Sequence, residues 1–231
     1  MYSDKDVKER VELLHKNDEG YRSSGNWHFV LYLIGLIAAV LAIRAFVFEP
    51  IRVDGESMQN TLQDRERCFA EKVSYLFSSP KQGDIVIVYY SNYDLSNNRS
   101  RRTYVKRVVA TAGQTVCIAP EKDKGTGAGG FCVYIDGEPL DESAYSDGFR
   151  LDDSFYRTIE NPKGKENSSF FMGEDGYYCC TVPEGYVFVM GDHRTNSHDS
   201  RASDVGPIPL YDVIGKVRGV MYPFSAIRPV K

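Results

Sequence analysis

The chain has 231 residues, 42% of them hydrophobic and 13% aromatic, with a net charge of −4. This composition excludes a wholly disordered chain and supplies no basic surplus for binding nucleic acid. Five cysteines without a C-x-x-C pair exclude a disulfide-dense scaffold and a zinc ribbon.

Residues 1–26 are polar, with five Lys/Arg against six Asp/Glu, and Val7, Val11 and Leu14 fall at helical spacing. They read as a short amphipathic helix in a cytoplasmic tail. From Trp27 to Phe48 the chain is apolar apart from His28 and Arg44, about 22 residues or about 33 Å of helix, enough for a hydrocarbon core of about 30 Å. Trp27 and His28 suit one interface, and Arg44 can snorkel to the other. A cleaved signal peptide is the rival reading. The 26 polar residues before the run and the lack of a small-x-small site after it stand against that. The charge bias favours the tail inside, and Pro50 is expected to end the helix.

Beyond it the chain reads as strand after strand. Arg67–Lys72, Gly83–Tyr90, Tyr104–Thr111, Thr115–Ala119, Phe131–Asp136, Tyr186–Met190 and Val213–Tyr222 are rich in β-branched and aromatic residues and bounded by turn residues. A Gly-rich loop at 124–130 joins a hairpin. Across it Cys117 and Cys132 are either a disulfide pair or two small strand residues. Residues 138–178, polar and aromatic without period, read as a surface insertion. No internal repeat is visible. The expectation is a mostly β protein: a compact antiparallel β domain over 49–231, attached to one transmembrane helix over 27–48.

Three stretches carry the candidate chemistry. Ser57 follows Asp54-Gly55-Glu56, a bend able to expose its hydroxyl and aim backbone N–H groups at an oxyanion; alone, Gly-x-Ser is a turn. Lys106 lies in Tyr104-Val105-Lys106-Arg107-Val108-Val109, where alternation turns it to the apolar side with Tyr104 and Val108. A buried ammonium is costly, and a fall in its pKa from about 10.4 to about 8 corresponds to about 3 kcal/mol. The bland alternative is an edge-strand lysine reaching water. Third, Gly191–Arg201 gathers Asp192, Arg194, Ser197, Asp199, Ser200 and Arg201, either a solvated loop or a frame for a neutral lysine. His193 or His198 with Asp192 or Asp199 offers a Ser-His-Asp arrangement or a metal site, but neither has a distinctive spacing.

Taken in order, the membrane helix, Gly-x-Ser-Met-x-x-Thr-Leu, Gly-Asp-Ile-Val-x-Val, Tyr-Val-Lys-Arg-Val-Val and Gly-Asp-x-Arg-x-x-Ser-x-Asp-Ser-Arg resemble the bacterial type I signal peptidases. These are membrane-bound Ser/Lys endopeptidases that remove signal peptides from exported preproteins. The resemblance, which extends to members from single-membrane bacteria, implies Ser57 as nucleophile and Lys106 as general base. It implies Ser197 as the residue orienting Lys106, and Arg107 with Asp192 and Asp199 with Arg201 as structural ion pairs. Val53, Leu62, Tyr104 and Val105 match pocket positions that accept small side chains at −1 and −3. It implies no metal or nucleotide cofactor, exported preproteins and membrane lipid as partners, no nucleic acid, and a single-pass plasma-membrane protein with its catalytic domain outside. Asn60 stands where the family usually has proline, His193 where it has asparagine, and Gly55 where some members carry a hydroxyl. A self-cleaving repressor-type Ser/Lys protease is a near rival, opposed by the membrane span. The rival from another class is a catalytically silent, membrane-anchored domain that binds extended peptides.

Overall fold

The computed structural model describes residues 4–90, 102–120, 130–146, 159–160, 169–174 and 176–230; the side chains of 16–26, 44–46, 90 and 102 lie outside the described set. The chain divides into two compact units, Met1–Val47 and Phe48–Lys231.

The first unit is one α-helix, α1 (Asp4–Phe46), of 43 residues, with Asp4 and Asp6 in its first turn, where carboxylates complement the positive end of the helix dipole. The tail and the apolar run are therefore continuous, not two helices. From Trp27 to Ile43 the large apolar side chains are exposed, among them Phe29, Tyr32 and Leu36. Among the described residues no helix is long and apolar enough to cross a membrane. The expected span includes residues 44–46, whose side chains are not described. Its far end is also revised. The helix stops at Phe46, and Phe48–Arg52 forms a strand, β1, paired with Arg67–Glu71. Pro50 thus lies within a strand. It is tolerated there because β1 is at the sheet edge, where no neighbour needs its missing N–H.

The second unit contains two antiparallel sheets. Their strands in chain order are β1, β2 (Arg67–Glu71), β3 (Ile85–Tyr90), β4 (Arg102–Thr111), β5 (Thr115–Pro120), β6 (Phe131–Ile135), β7 (Glu138–Pro139), β8 (Phe170–Met172), β9 (Tyr178–Thr181), β10 (Tyr186–Met190), β11 (Ile208–Pro209), β12 (Val213–Tyr222) and β13 (Arg228–Pro229). The larger sheet runs β1-β2-β12-β3-β4-β10-β11 with β13 added to β12; the smaller runs β7-β6-β5-β9-β8.

Sequence pattern explains placement. In β3, Ile85–Val88 is a continuous apolar run because both faces are covered. Ile85 and Ile87 join a core with Met58, Leu62 and Val217, whereas Val86 and Val88 join one with Val108, Val187 and Val189. The smaller sheet encloses Val116, Ile118, Val133 and Cys180 with Phe188 from β10. A register shift between Phe188 and Val189, opposite Ala110 and Val108, lets β4 and β10 serve more than one of these cores. The expected Asp136-Gly137 turn has both residues at positive φ (53° and 90°) and joins β6 to β7.

Two expectations need revision. The β5–β6 hairpin forms, but its register sets Cys117 opposite Tyr134 and Cys132 opposite Ala119, so these cysteines are not a pair. Cys117 is instead opposite Cys179 on β9 and bonded to it, with a Cα–Cα distance of 4.4 Å. Cys68 and Cys180 are buried free thiols, and Cys132, half-buried, lies outside this disulfide. Residues 138–178 are also more than a covering loop where they are described. They supply β7, β8 and the start of β9, and Ile159 and Ser169 are buried. Strands of two to four residues are too short to show a period. Most of the Gly-rich loop expected at 124–130 lies outside the described residues.

The disulfide closes a sequence separation of 62 residues, for which chain entropy gives roughly 4 kcal/mol as an upper figure. We expect Cys117→Ser to lower the unfolding free energy by about 2–4 kcal/mol, measured by denaturant titration of the oxidised protein. Cys132→Ser should leave it nearly unchanged.

Candidate active site

The loop bearing Ser57 is fixed from both ends. Val53 N–H donates to Glu66 O (2.8 Å) and Arg65 N–H to Val53 O (2.8 Å). Gly55 follows at φ +106°, a conformation that a side chain would strain, and its N–H donates to Asp64 Oδ1 at 2.9 Å. The chain then winds into tight turns in which Gln59 N–H donates to Glu56 O (3.0 Å) and Leu62 N–H to Met58 O (2.6 Å). Met58 and Leu62 are fully buried beneath, so the apolar side of this turn holds Ser57 half-exposed above it. Arg228 adds a long-range tie, donating to Thr61 O (2.8 Å) while pairing with Glu66.

Lys106 reaches that hydroxyl from β4. It is opposite Val86 on β3, so the two share a face, and only 1% of it is exposed. Its Nζ lies 2.8 Å from Ser57 Oγ and 3.1 Å from Ser197 Oγ. Burial pushes the ammonium down to about 8, against the upward pull of Asp199 and Asp192 and with help from Arg201.

Ser197 is in turn held by Asp199. Its hydroxyl donates to Asp199 Oδ2 (2.7 Å), leaving the oxygen only to accept from Lys106. Asp199, fully buried, also accepts from Arg201 Nε (2.8 Å), Arg201 Nη2 (2.7 Å) and Gly191 N–H (3.0 Å). Burial alone would raise its carboxyl. The Arg201 charge and hydrogen bonds, the Lys106 charge and the Ser197 bond outweigh that and hold it at about 2. Removing one partner of so buried a pair costs about 3–5 kcal/mol, because the other charge is left without compensation.

A second buried ion pair supports the first. Arg107 clamps Asp192 through Nε and Nη2, both at 2.8 Å, and donates to Gly83 O (2.9 Å). Asp192 also accepts the Thr61 hydroxyl, and its backbone carbonyl accepts from Asn60 Nδ2 at 3.3 Å. The residue standing where proline is usual thereby ties the Ser57 loop to this pair.

Tyr145 and Glu142 were not singled out from sequence. Tyr145 lies over the Arg107 guanidinium at 3.9 Å, a cation–π contact. Arg194 Nη1 is 2.6 Å from Glu142 Oε1, an ion pair without hydrogen-bond geometry; among the described residues that buried oxygen and the buried Arg194 Nε and Nη2 have no hydrogen-bond partner. Burial pushes the Glu142 carboxyl up against the pull of Arg194. Both contacts come from residues 142–145, where the sequence shows no period.

The four expected pocket residues divide. Val53, Leu62 and Val105 belong to the core under the Ser57 turn, Leu62 fully enclosed and Val105 half-buried. Tyr104 packs on the other core of β3, with Val86, Val88 and Val108. The histidines do not complete the Ser-His-Asp arrangement: His198 Nε2 is 3.1 Å from Asp204, His193 Nδ1 is 3.2 Å from Glu56 O, and the Ser57 hydroxyl is met by an amine. Among the described residues no group of three His, Cys, Asp or Glu is arranged to hold a metal.

Gly191 is the tightest point. A Cβ there would lie 2.3 Å from Ser197 Oγ and 2.4 Å from Ser57 O, far inside contact distance. Gly191→Ala must push the two hydroxyl-bearing residues apart. Overpacking of this kind costs about 1–3 kcal/mol. The expected outcome is a folded variant in which the peptide cleavage that the sequence resemblance implies is lowered by at least about 10²-fold, checked by circular dichroism and a peptide cleavage assay.

With this geometry established, comparison places the chain. The family model described as signal peptidase, peptidase S26, matches residues 26–222. A signal peptidase I of Bacillus amyloliquefaciens is 32% identical over 199 residues, 86% of this chain and 89% of that protein. Signal peptidase I T of Bacillus subtilis is 33% identical over 198 residues, covering 85% and 86%. A signal peptidase I of Bacillus licheniformis is 35% identical over 195 residues, covering 84% and 88%. A solved signal peptidase I from Enterococcus faecalis aligns at 24% identity over 60% of this chain and 98% of that one, with a TM-score of 0.36. On the family match and the near full-length relatives, the chain belongs to the signal peptidase family, peptidase S26.

Proposed function

We propose that this chain is a membrane-anchored serine endopeptidase that removes signal peptides from exported preproteins, with Ser57 as nucleophile and Lys106 as general base. The observation that carries this reading is the placement of one buried amine between two hydroxyls, 2.8 Å from Ser57 Oγ and 3.1 Å from Ser197 Oγ. Because the Ser197 proton is committed to Asp199, Ser197 can only accept from Lys106. A neutral amine then spends an N–H on Ser197 and keeps its lone pair for the Ser57 proton.

The steps follow. The substrate enters in extended form, and Ser57 Oγ attacks the carbonyl after the −1 residue as Lys106 takes the hydroxyl proton. The tetrahedral oxyanion is held by the Ser57 backbone N–H. Lys106 passes its proton to the leaving amine nitrogen, the C–N bond breaks, and an ester on Ser57 remains. Water attacks that ester, giving a proton to Lys106, and the proton returns to Ser57 Oγ as the acid leaves. Tyr104 and Val105, half-buried, offer surface for small −1 and −3 side chains; Val53 and Leu62 serve through the packed core they belong to. The ion pairs Arg107–Asp192 and Asp199–Arg201 act as the rigid frame.

The location proposed is the plasma membrane, crossed once by the apolar end of α1, with the tail cytoplasmic, the β domain outside and lipid beside the site. The exposed apolar side chains of Trp27–Ile43 and a disulfide suited to an oxidising compartment support it. A silent peptide-binding domain is not favoured, because nucleophile, base and orienting residue are all present at hydrogen-bond distances.

Detergent-solubilised protein should cut an Ala-x-Ala preprotein after the −1 residue, and Ser57→Ala and Lys106→Ala should each lower the rate by at least about 10³-fold. Full rate in Lys106→Ala would remove the lysine from the mechanism. Because only the neutral amine is a base, kcat/KM should rise with pH through about 8 and then level. Lys106 is also depressed relative to the unfolded chain. Its burial cost is therefore full below about pH 8 and relieved between there and its ordinary value of 10.5. Lys106→Met should therefore be inactive yet melt no lower than the parent at pH 7, as read by calorimetry.

A further inference from the structure

We propose that His193 is a positioning residue for the oxyanion donor: it fixes the peptide plane between Glu56 and Ser57 and so aims the Ser57 N–H. This inference rests on the reading of Ser57 as nucleophile.

The argument begins with the peptide unit. In a trans peptide the C=O of one residue and the N–H of the next lie in one plane and point in opposite directions. Whatever holds the Glu56 carbonyl therefore sets the direction of the Ser57 N–H. That carbonyl accepts two hydrogen bonds, one from Gln59 N–H at 3.0 Å within the turn and one from His193 Nδ1 at 3.2 Å across the site. A carbonyl has no proton to give, so Nδ1 carries the hydrogen in this contact. The His193 backbone N–H donates to the next carbonyl, Ser57 O, at 3.1 Å. One residue thus grips the peptides on both sides of the nucleophile.

Among the described residues the Ser57 N–H makes no hydrogen bond within the protein, as a donor kept for substrate would. Two donors on the Glu56 oxygen also polarise that peptide, making its N–H a stronger donor. The local turn bond alone would leave the plane free to rock with the exposed loop; His193 ties it to the 191–201 segment, which is anchored by buried Asp192 and Asp199. The chemistry also explains how histidine can occupy an asparagine position. Nδ1 of histidine and Nδ2 of asparagine are each one bond beyond Cγ, so either can donate from the same place.

The test compares the solubilised full chain with His193→Ala, His193→Asn and His193→Asp, measuring kcat and KM on an Ala-x-Ala preprotein and the affinity of a peptide boronic acid. The boronate forms a tetrahedral adduct on Ser57 and places an oxygen where the oxyanion forms. His193→Ala should lower kcat about tenfold, less than the roughly 10²-fold or greater loss from deleting an oxyanion donor outright, because the Gln59 bond remains. KM should stay within about twofold, and boronate affinity should fall by a factor similar to that in kcat. His193→Asn should recover most of the loss, and His193→Asp, which offers only acceptors, should not. Uncleaved substrate should bind Ser57→Ala and the Ser57→Ala/His193→Ala double variant equally. Full kcat in His193→Ala, equal losses in the Ala and Asn variants, or a change in KM alone would overturn the inference while leaving Ser57 and Lys106 in place. Activity retained by Ser57→Ala would instead overturn the reading on which it rests.

Discussion

For Lys106 to act as the proposed base its amine must lose its charge inside a folded protein, and the burial that eases this loss costs stability while the amine is still charged. Lys106 is almost fully buried and pushed down to about 8, a displacement worth about 3 kcal/mol against stability at neutral pH. Nearby negative charge would undo it by favouring the ammonium. Yet Asp199 and Asp192 are both close enough to pull upward. The resolution is that each carboxylate is claimed by its own arginine, Arg201 and Arg107, through paired hydrogen bonds. The arginines thus do more than hold the frame together: they neutralise carboxylates that the site needs for geometry but cannot leave uncompensated.

The same logic accounts for the closeness of Gly191 to the Ser197 hydroxyl and the Ser57 carbonyl. Asp199 must reach the Gly191 N–H, Ser197 and Arg201 at once, and the strand leaving β10 must turn within van der Waals distance of the Ser57 carbonyl. A backbone packed so closely tolerates no Cβ. Val53 and Leu62, with Val105 packed against them, share one compact core with Met58 under the Ser57 turn, so the surface proposed for small substrate side chains and the support of that turn rest on the same packing.

What could be read from sequence divides along physical lines. The run at Ile85–Val88 was legible because burial of both faces needs continuous apolar residues, and Tyr104–Thr111 and Val213–Tyr222 because β-branched and aromatic residues recur along them. The residues meeting at the site could be named from motifs, since Ser57, Lys106 and Ser197 each lie in a dense local pattern. Cys117 and Cys179 could not be paired, because register across β5 and β9 depends on sheet order rather than spacing. Nor could β1 be separated from the apolar run before it: Phe48 continues the hydrophobicity of α1, and only pairing with β2 distinguishes them. Glu142 and Tyr145 were illegible for a different reason. Their roles are side-chain contacts to Arg194 and Arg107, made from a stretch without period.

The tie from Arg228 to the nucleophile loop bears on the order of assembly. Glu66 and Thr61 meet Arg228 across sequence separations of 162 and 167 residues, and Asp192 meets Thr61 across 131. Such distant contacts form late, because chain closure must come first. A chain emerging from its N-terminus presents α1 and the Ser57 turn long before the residues that lock that turn exist. The Ser57 turn therefore gains its ties to Asp192 and Arg228 only after β4, β10 and β13 have been made.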